Sequence, residues 1–178
     1  MPAAASAQTR AVVTATANAR ATIVAPLTLV KVQDMSFGKI VPRPTAGTVT
    51  VDQNTGQCSV TGTILEVGTC RYAQFASQGT KNMNARITLN VVSNLTGPGQ
   101  TMVLDNIILG TNSTISFAGN SNANGSGVGL TQGSGNQRYT IVSNSGIFVL
   151  NIGGRLNVNA NQARGIYTGS ITVTVQYN

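Results

Sequence analysis

Apolar and polar residues alternate along much of this chain. From residue 11 to 21 the odd positions are Ala11, Val13, Ala15, Ala17, Ala19 and Ala21, and the even ones are Val12, Thr14, Thr16, Asn18 and Arg20. A period of two sends one set to each face of an extended strand. The alternation continues through Ile23, Ala25, Leu27 and Leu29. That is longer than the roughly 5–6 residues of an ordinary strand, so it predicts two successive strands joined by a short link. At the other end Tyr167, Gly169, Ile171, Val173, Val175 and Tyr177 share one face. Thr168, Ser170, Thr172, Thr174, Gln176 and Asn178 share the other, which predicts a strand running to the last residue. Shorter apolar runs predict strands at 48–51, 59–67, 72–75, 85–92, 102–109, 114–117, 139–142, 147–152 and 155–158, with Pro42, Pro44 and Pro98 marking turns. Many short strands separated by turn signals, with hardly a helix former among them, predict an all-β sandwich.

Residues 119–136 are mostly Gly, Ser and Asn and read as a long exposed loop. Gly125, Gly127 and Gly129 invite comparison with a phosphate-cradling loop. No Lys follows them, no helix is signalled, and the Asp residues of a calcium-binding repeat are missing.

Composition narrows the function classes. Only 8% of residues are charged, against roughly 25% in a typical soluble domain, so the surface is built from Thr, Asn, Ser, Gln and Gly. That suits exported wall, fibre and capsid proteins. There is no His, which removes Ser-His and Cys-His nucleophile pairs and the commonest metal ligand. The acids are Asp34, Asp52, Glu66 and Asp105, and no local spacing pairs them. No enzyme site and no cofactor site is legible. The net charge of +7 points to an anionic partner only if the cations cluster. They are scattered from Arg10 to Arg164 without a run, so they read as separate solvated side chains, with no nucleic-acid site. No stretch approaches the ~18 apolar residues of a membrane-spanning helix.

Cys58 and Cys70 flank a short loop. In an oxidising compartment they form a disulfide; in a reducing cytosol they remain two buried thiols. The export-type composition favours the disulfide. Two cysteines without a His or a further Cys do not complete a zinc site. The Ala5-Ser6-Ala7 triplet has the small-residue character of a leader cleavage site, as though the sequence begins near the end of a leader.

The amphipathic N-terminal segment has two readings: the first strand of its own domain, or a spare strand that adds to the sheet of a neighbour. Small side chains such as Ala11, Ala15, Ala17 and Ala19 suit a narrow groove between sheets.

The C-terminal segment Gly165, Ile171, Val173, Val175 and Tyr177 resembles the C-terminal motif of chaperone–usher pilins: a glycine, alternating apolar residues and a penultimate Tyr. In that family these residues belong to the last strand, which borders the groove left by a missing immunoglobulin strand. The resemblance implies an immunoglobulin-like β-sandwich, incomplete by itself, over residues 21–178. It also implies an N-terminal extension over residues 1–20, whose donor strand (about 9–20) completes a neighbouring subunit. Ala11, Val12, Val13, Ala15, Ala17 and Ala19 would insert, and the five C-terminal residues would line the acceptor groove. The implied partners are identical subunits joined head to tail in a cell-surface fimbrium, with a periplasmic chaperone and an outer-membrane usher during assembly. The chain also resembles a bacterial surface-protein family catalogued as a domain of unknown function. The resemblance rests on Ala25-Pro26-Leu27-Thr28, Met35-Ser36-Phe37-Gly38-Lys39-Ile40, Ile152-Gly153-Gly154-Arg155-Leu156-Asn157-Val158 and Gly165-Ile166-Tyr167-Thr168-Gly169. The mid-chain cysteines depart from the well-known pilins. An alternative from the residues alone is a secreted adhesin or glycan-binding β-sandwich module.

Overall fold

A computed structural model describes residues 14–92, 94–110, 112–119 and 137–177. The described chain is all-β, with twelve strands and no helix among the described residues. They are β1 (Thr28–Gln33), β2 (Ser36–Val41), β3 (Gly47–Val51), β4 (Cys58–Thr61), β5 (Leu65–Arg71), β6 (Ala73–Gln78), β7 (Asn84–Val92), β8 (Leu104–Gly110), β9 (Ile115–Gly119), β10 (Arg138–Ile141), β11 (Ile147–Val158) and β12 (Ile171–Tyr177).

Two larger antiparallel sheets form the β-sandwich. The first runs β1-β6-β11-β3-β4, with β8 also paired to β11; the second runs β12-β7-β10-β9. A β2-β5 ribbon forms a third, two-stranded sheet. Strand β11 organises the first sheet. Its first half pairs with β6, its last five residues with β3, and its middle with β8. The alternation of buried residues along β11 and β7 turns Phe148, Leu150, Ile152 and Leu156 of one sheet toward Ala85, Ile87 and Leu89 of the other. Ile141, Tyr139, Val173 and Leu109 complete the core. Tyr139 packs edge-on against Phe117 at 5.5 Å. Burial there pushes its hydroxyl pKa well above the usual phenol value.

Several sequence expectations are revised. Residues 14–27 form no strand, and regular structure begins only at Thr28. Apolar alternation stabilises a strand only where a sheet accepts it, and here Ile23 stands 97% exposed. The two short strands expected around Gly153-Gly154 are one continuous β11. A Cβ at Gly153 would sit 2.4 Å from the Val51 carbonyl oxygen, so the glycine lets β3 come close rather than ending the strand. The last strand begins at Ile171 rather than Tyr167. The ribbon strand β2 had no expected counterpart.

Candidate functional site

The site is assembled from two sheet edges. β1 pairs only with β6, and β12 pairs only with β7. Each therefore leaves one side of its backbone without a ladder partner among the described residues. The two edges lie along the same side of the sandwich and are tied at one end. The Tyr177 hydroxyl donates to the Ala25 carbonyl at 2.6 Å and accepts from the Thr80 N–H at 2.8 Å. A Cβ at Gly79 would touch both Leu27 and the Tyr177 hydroxyl, so β12's last residue meets the chain just before β1. At the other end Lys31 and Gln33 of β1, Phe75 of β6 and Ile171 of β12 surround one groove of about 560 Å³. A second groove of about 460 Å³ shares Met35, Phe37, Leu95 and Tyr167 with it and continues toward Ile40 and Arg164.

The lining of this seam is apolar and incompletely covered. Leu27, Leu29, Phe75, Ile171, Val175 and Tyr177 pack against the core yet stay half-buried, whereas Val173, in the middle of β12, is buried. Cross-strand register places Lys31 opposite Phe75, on the inward face that Leu29 also shares. Its ammonium turns back to Asp34 at 2.8 Å and remains largely exposed. A lysine on an inward-facing position reaches solvent only where the sheet above it stops short.

The residues singled out from the sequence separate into three groups. Ile171, Val173, Val175 and Tyr177 lie together on the inward face of β12, along the seam. Gly165 lies outside β12, in the loop lining the second groove, with φ at +147° and its Cα face against the Pro98 ring. Ala15, Ala17 and Ala19 are exposed and belong to no strand, while Ala11, Val12 and Val13 fall outside the described residues. The alternation did not single out Phe75 or Leu95 as seam residues, and it placed Tyr167 on the seam face but inside the last strand, which begins only at Ile171. Leu27 and Leu29 were visible in it, at the end of an alternating run that predicted two successive strands.

Cys58 and Cys70 form a disulfide with Cα atoms 5.7 Å apart, tying β4 to β5. Closing so short a loop contributes about 2–3 kcal/mol. Glu66 sits beside it, and its carboxylate lies within 4.8 Å of both sulfurs. Both sulfurs are committed to the bridge, so they are not thiolate donors to a metal. Glu66 Oε1 is buried over Gly38 without a hydrogen-bond partner. Elsewhere the acids are used locally. Asp105 on β8 takes both guanidinium contacts of Arg155, at 2.8 and 3.1 Å, and a third bond from Asn157. The Arg155 hydrogen bond holds its carboxyl below the usual range. Asp52 caps the turn between β3 and β4 by accepting from the N–H groups of Asn54 and Thr55, and those bonds, Thr55's foremost, lower its pKa likewise.

A protein-family comparison matches residues 27–177 to the family described as Domain of unknown function (DUF4402), from the approach to β1 through the end of β12. No curated protein and no solved structure matches the chain.

Proposed function

The chain belongs to the family described as Domain of unknown function (DUF4402), and we propose that it is a structural subunit of a bacterial surface fibre that polymerises by strand donation. The observation that carries this reading is the pair of open edges, β1 and β12, on either side of one half-covered apolar seam. An immunoglobulin-like sandwich short of one strand would have this shape. A strand laid along β12 would pair with the side of it that has no ladder partner among the described residues. Its inward side chains would cover Leu29, Phe75, Ile171 and Val175. The exposed segment around Ala15, Ala17 and Ala19 has small alternate side chains of the right kind, and it is not used in its own sheets.

Donated from one copy to the next, such a strand makes a head-to-tail contact that does not close on itself, which generates a filament. A periplasmic chaperone would hold the seam until a neighbour's extension replaces it, with an outer-membrane usher at the exit. The subunit then ends up outside the cell, at its surface.

Electrophoresis in SDS, unheated beside boiled, tests the reading on native surface material. The expected result is a ladder of multimers that collapses to one band on boiling. One residue inserted after Thr14 puts Ala15, Ala17 and Ala19 on the face opposite Ala11 and Val13, and the ladder should vanish. A ladder unchanged by that insertion, or a monomer band alone in both lanes of the native protein, refutes strand donation. The monomer result would leave the adhesin or glycan-binding module as the standing reading.

A further inference from the structure

The outward face of the second sheet carries a feature that neither the seam nor the fold requires. Arg86 on β7 lies directly opposite Arg138 on β10, and on its other side opposite Gln176 on β12. Residues directly opposed across antiparallel strands have Cβ atoms ~5 Å apart, and like charges placed so destabilise a sheet. Nothing on this sheet compensates. None of the four acids lies on β7, β9, β10 or β12. The salt bridges among the described residues are Lys31–Asp34 and Arg155–Asp105, both elsewhere. Residues 120–136, between β9 and β10, contain neither an acid nor a base.

Among the described residues the surroundings leave room for a ligand. Arg138 is exposed and Arg86 half-buried. On the β9 side Arg138 is opposite Gly119, and among the described residues no atom beyond the glycine's own chain neighbours lies within 4 Å of where a Cβ would be. The flanking rows are polar and uncharged: Thr88 on one side, and on the other Asn84 and Thr140, whose hydroxyl donates to the Asn84 side-chain oxygen at 2.8 Å. The aromatic residues of the sheet, Phe117, Tyr139 and Tyr177, all pack inward against the core.

We infer that Arg86 and Arg138 form an anion-binding fork on the outward face of the β12-β7-β10-β9 sheet, and that its ligand is a carboxylated polysaccharide. Guanidinium groups match carboxylates two bonds at a time. The hydroxyl and amide rows beside the fork suit sugar hydroxyls. A nucleic acid is a poorer fit, because it needs a track of cations for successive phosphates and rings on which bases stack. This face offers two cations and no ring. The fork needs no filament, since a lone domain presents it whole.

Calorimetric titration of the full chain with polygalacturonate oligomers in low salt tests the inference, with the methyl-esterified oligomers and duplex DNA as comparison probes. Arg86→Gln and Arg138→Gln should each weaken binding to polygalacturonate by about tenfold or more, the scale of one charge-assisted hydrogen bond. Arg43→Gln and Arg71→Gln, which remove the same charge elsewhere, should leave it within about twofold. The methyl ester should not bind. Thermal melting of Arg138→Gln should fall no lower than the native protein, because the substitution removes a repulsion. Four results overturn the inference: no binding by the native chain, equal losses in all four variants, equal binding of the methyl ester, or tighter binding of DNA through the same two arginines. A marked drop in melting temperature for Arg138→Gln would also overturn it, by showing that the pair serves the fold.

Discussion

Replacing Tyr177 with Phe keeps the ring and deletes one oxygen, at the point where the edge strand β12 is tied to the chain entering β1. That hydroxyl donates to the Ala25 carbonyl at 2.6 Å, accepts from the Thr80 N–H at 2.8 Å, and lies 3.4 Å from the Thr80 hydroxyl. A protein hydrogen bond contributes about 0.5–1.5 kcal/mol net, and an abandoned buried donor costs more. Ala25 is exposed, so water replaces its lost donor cheaply. Thr80 is half-buried, and its N–H is left with no protein acceptor. Tyr177→Phe should therefore cost about 1–2 kcal/mol in urea unfolding, with an unchanged slope, and lower the Tm by about 2–8 °C in a chain of this size. Native-state hydrogen exchange should speed at the Thr80 amide. Tyr167→Phe is the matched control: its hydroxyl makes a single bond, to the Ala163 carbonyl at 2.9 Å, in an exposed loop. It should cost less than about 1 kcal/mol. Melting of Tyr177→Phe within about 1 °C of the native protein, or an equal loss of stability in the two variants, would refute this role for the Tyr177 hydroxyl.

Two further outcomes follow from the geometry. Gly146 has φ at +74°, and a Cβ there would sit 2.0 Å from the Gly79 carbonyl oxygen, which is backbone and cannot swing aside; Gly146→Ala should lose at least about 2 kcal/mol in urea unfolding, and a near-neutral result would contradict the tight β6–β11 end. Asp105 and Asp52 have folded pKa values below their ordinary ones, so each contributes stability that is complete above pH ~4 and is lost as pH falls through the lower folded value. Asp105→Asn should therefore flatten the fall in urea midpoint between pH 4 and lower values, and an acid dependence identical to the native protein's would count against the Arg155 and Asn157 bonds as its source.

How far the sequence could be read varied with how local the determinant was. β12 followed from its own alternation: Val173 is buried with Ile171, Val175 and Tyr177 beside it, and Thr172, Thr174 and Gln176 turn outward. At residues 14–27 the same alternation meets no sheet among the described residues, because a period of two measures fitness for a sheet and does not say which sheet accepts the segment. β2 escaped notice because its register slips between Phe37 and Lys39, at Gly38, which breaks the period within six residues. Gly153-Gly154 looked like an interruption because a glycine's use for close backbone approach depends on β3, a hundred residues earlier in the chain. The open seam and the Arg86–Arg138 pair are products of strand order, and scattered cations acquire a meaning only once β7 and β10 are known to be neighbours.

Strand β11 carries a consequence for how the molecule comes into being. β3, β6 and β8 all pair with it, and without it β1-β6 and β3-β4 are two separate strand pairs. Its residues follow those of β3, β6 and β8 in the sequence, so the first sheet has no common axis until synthesis has passed them. The second sheet waits longer, for β12. Pairings this distant in sequence make for slow folding. The domain therefore closes only after β11 and β12 have both been made, and until then the strands before them lack the partners that order them.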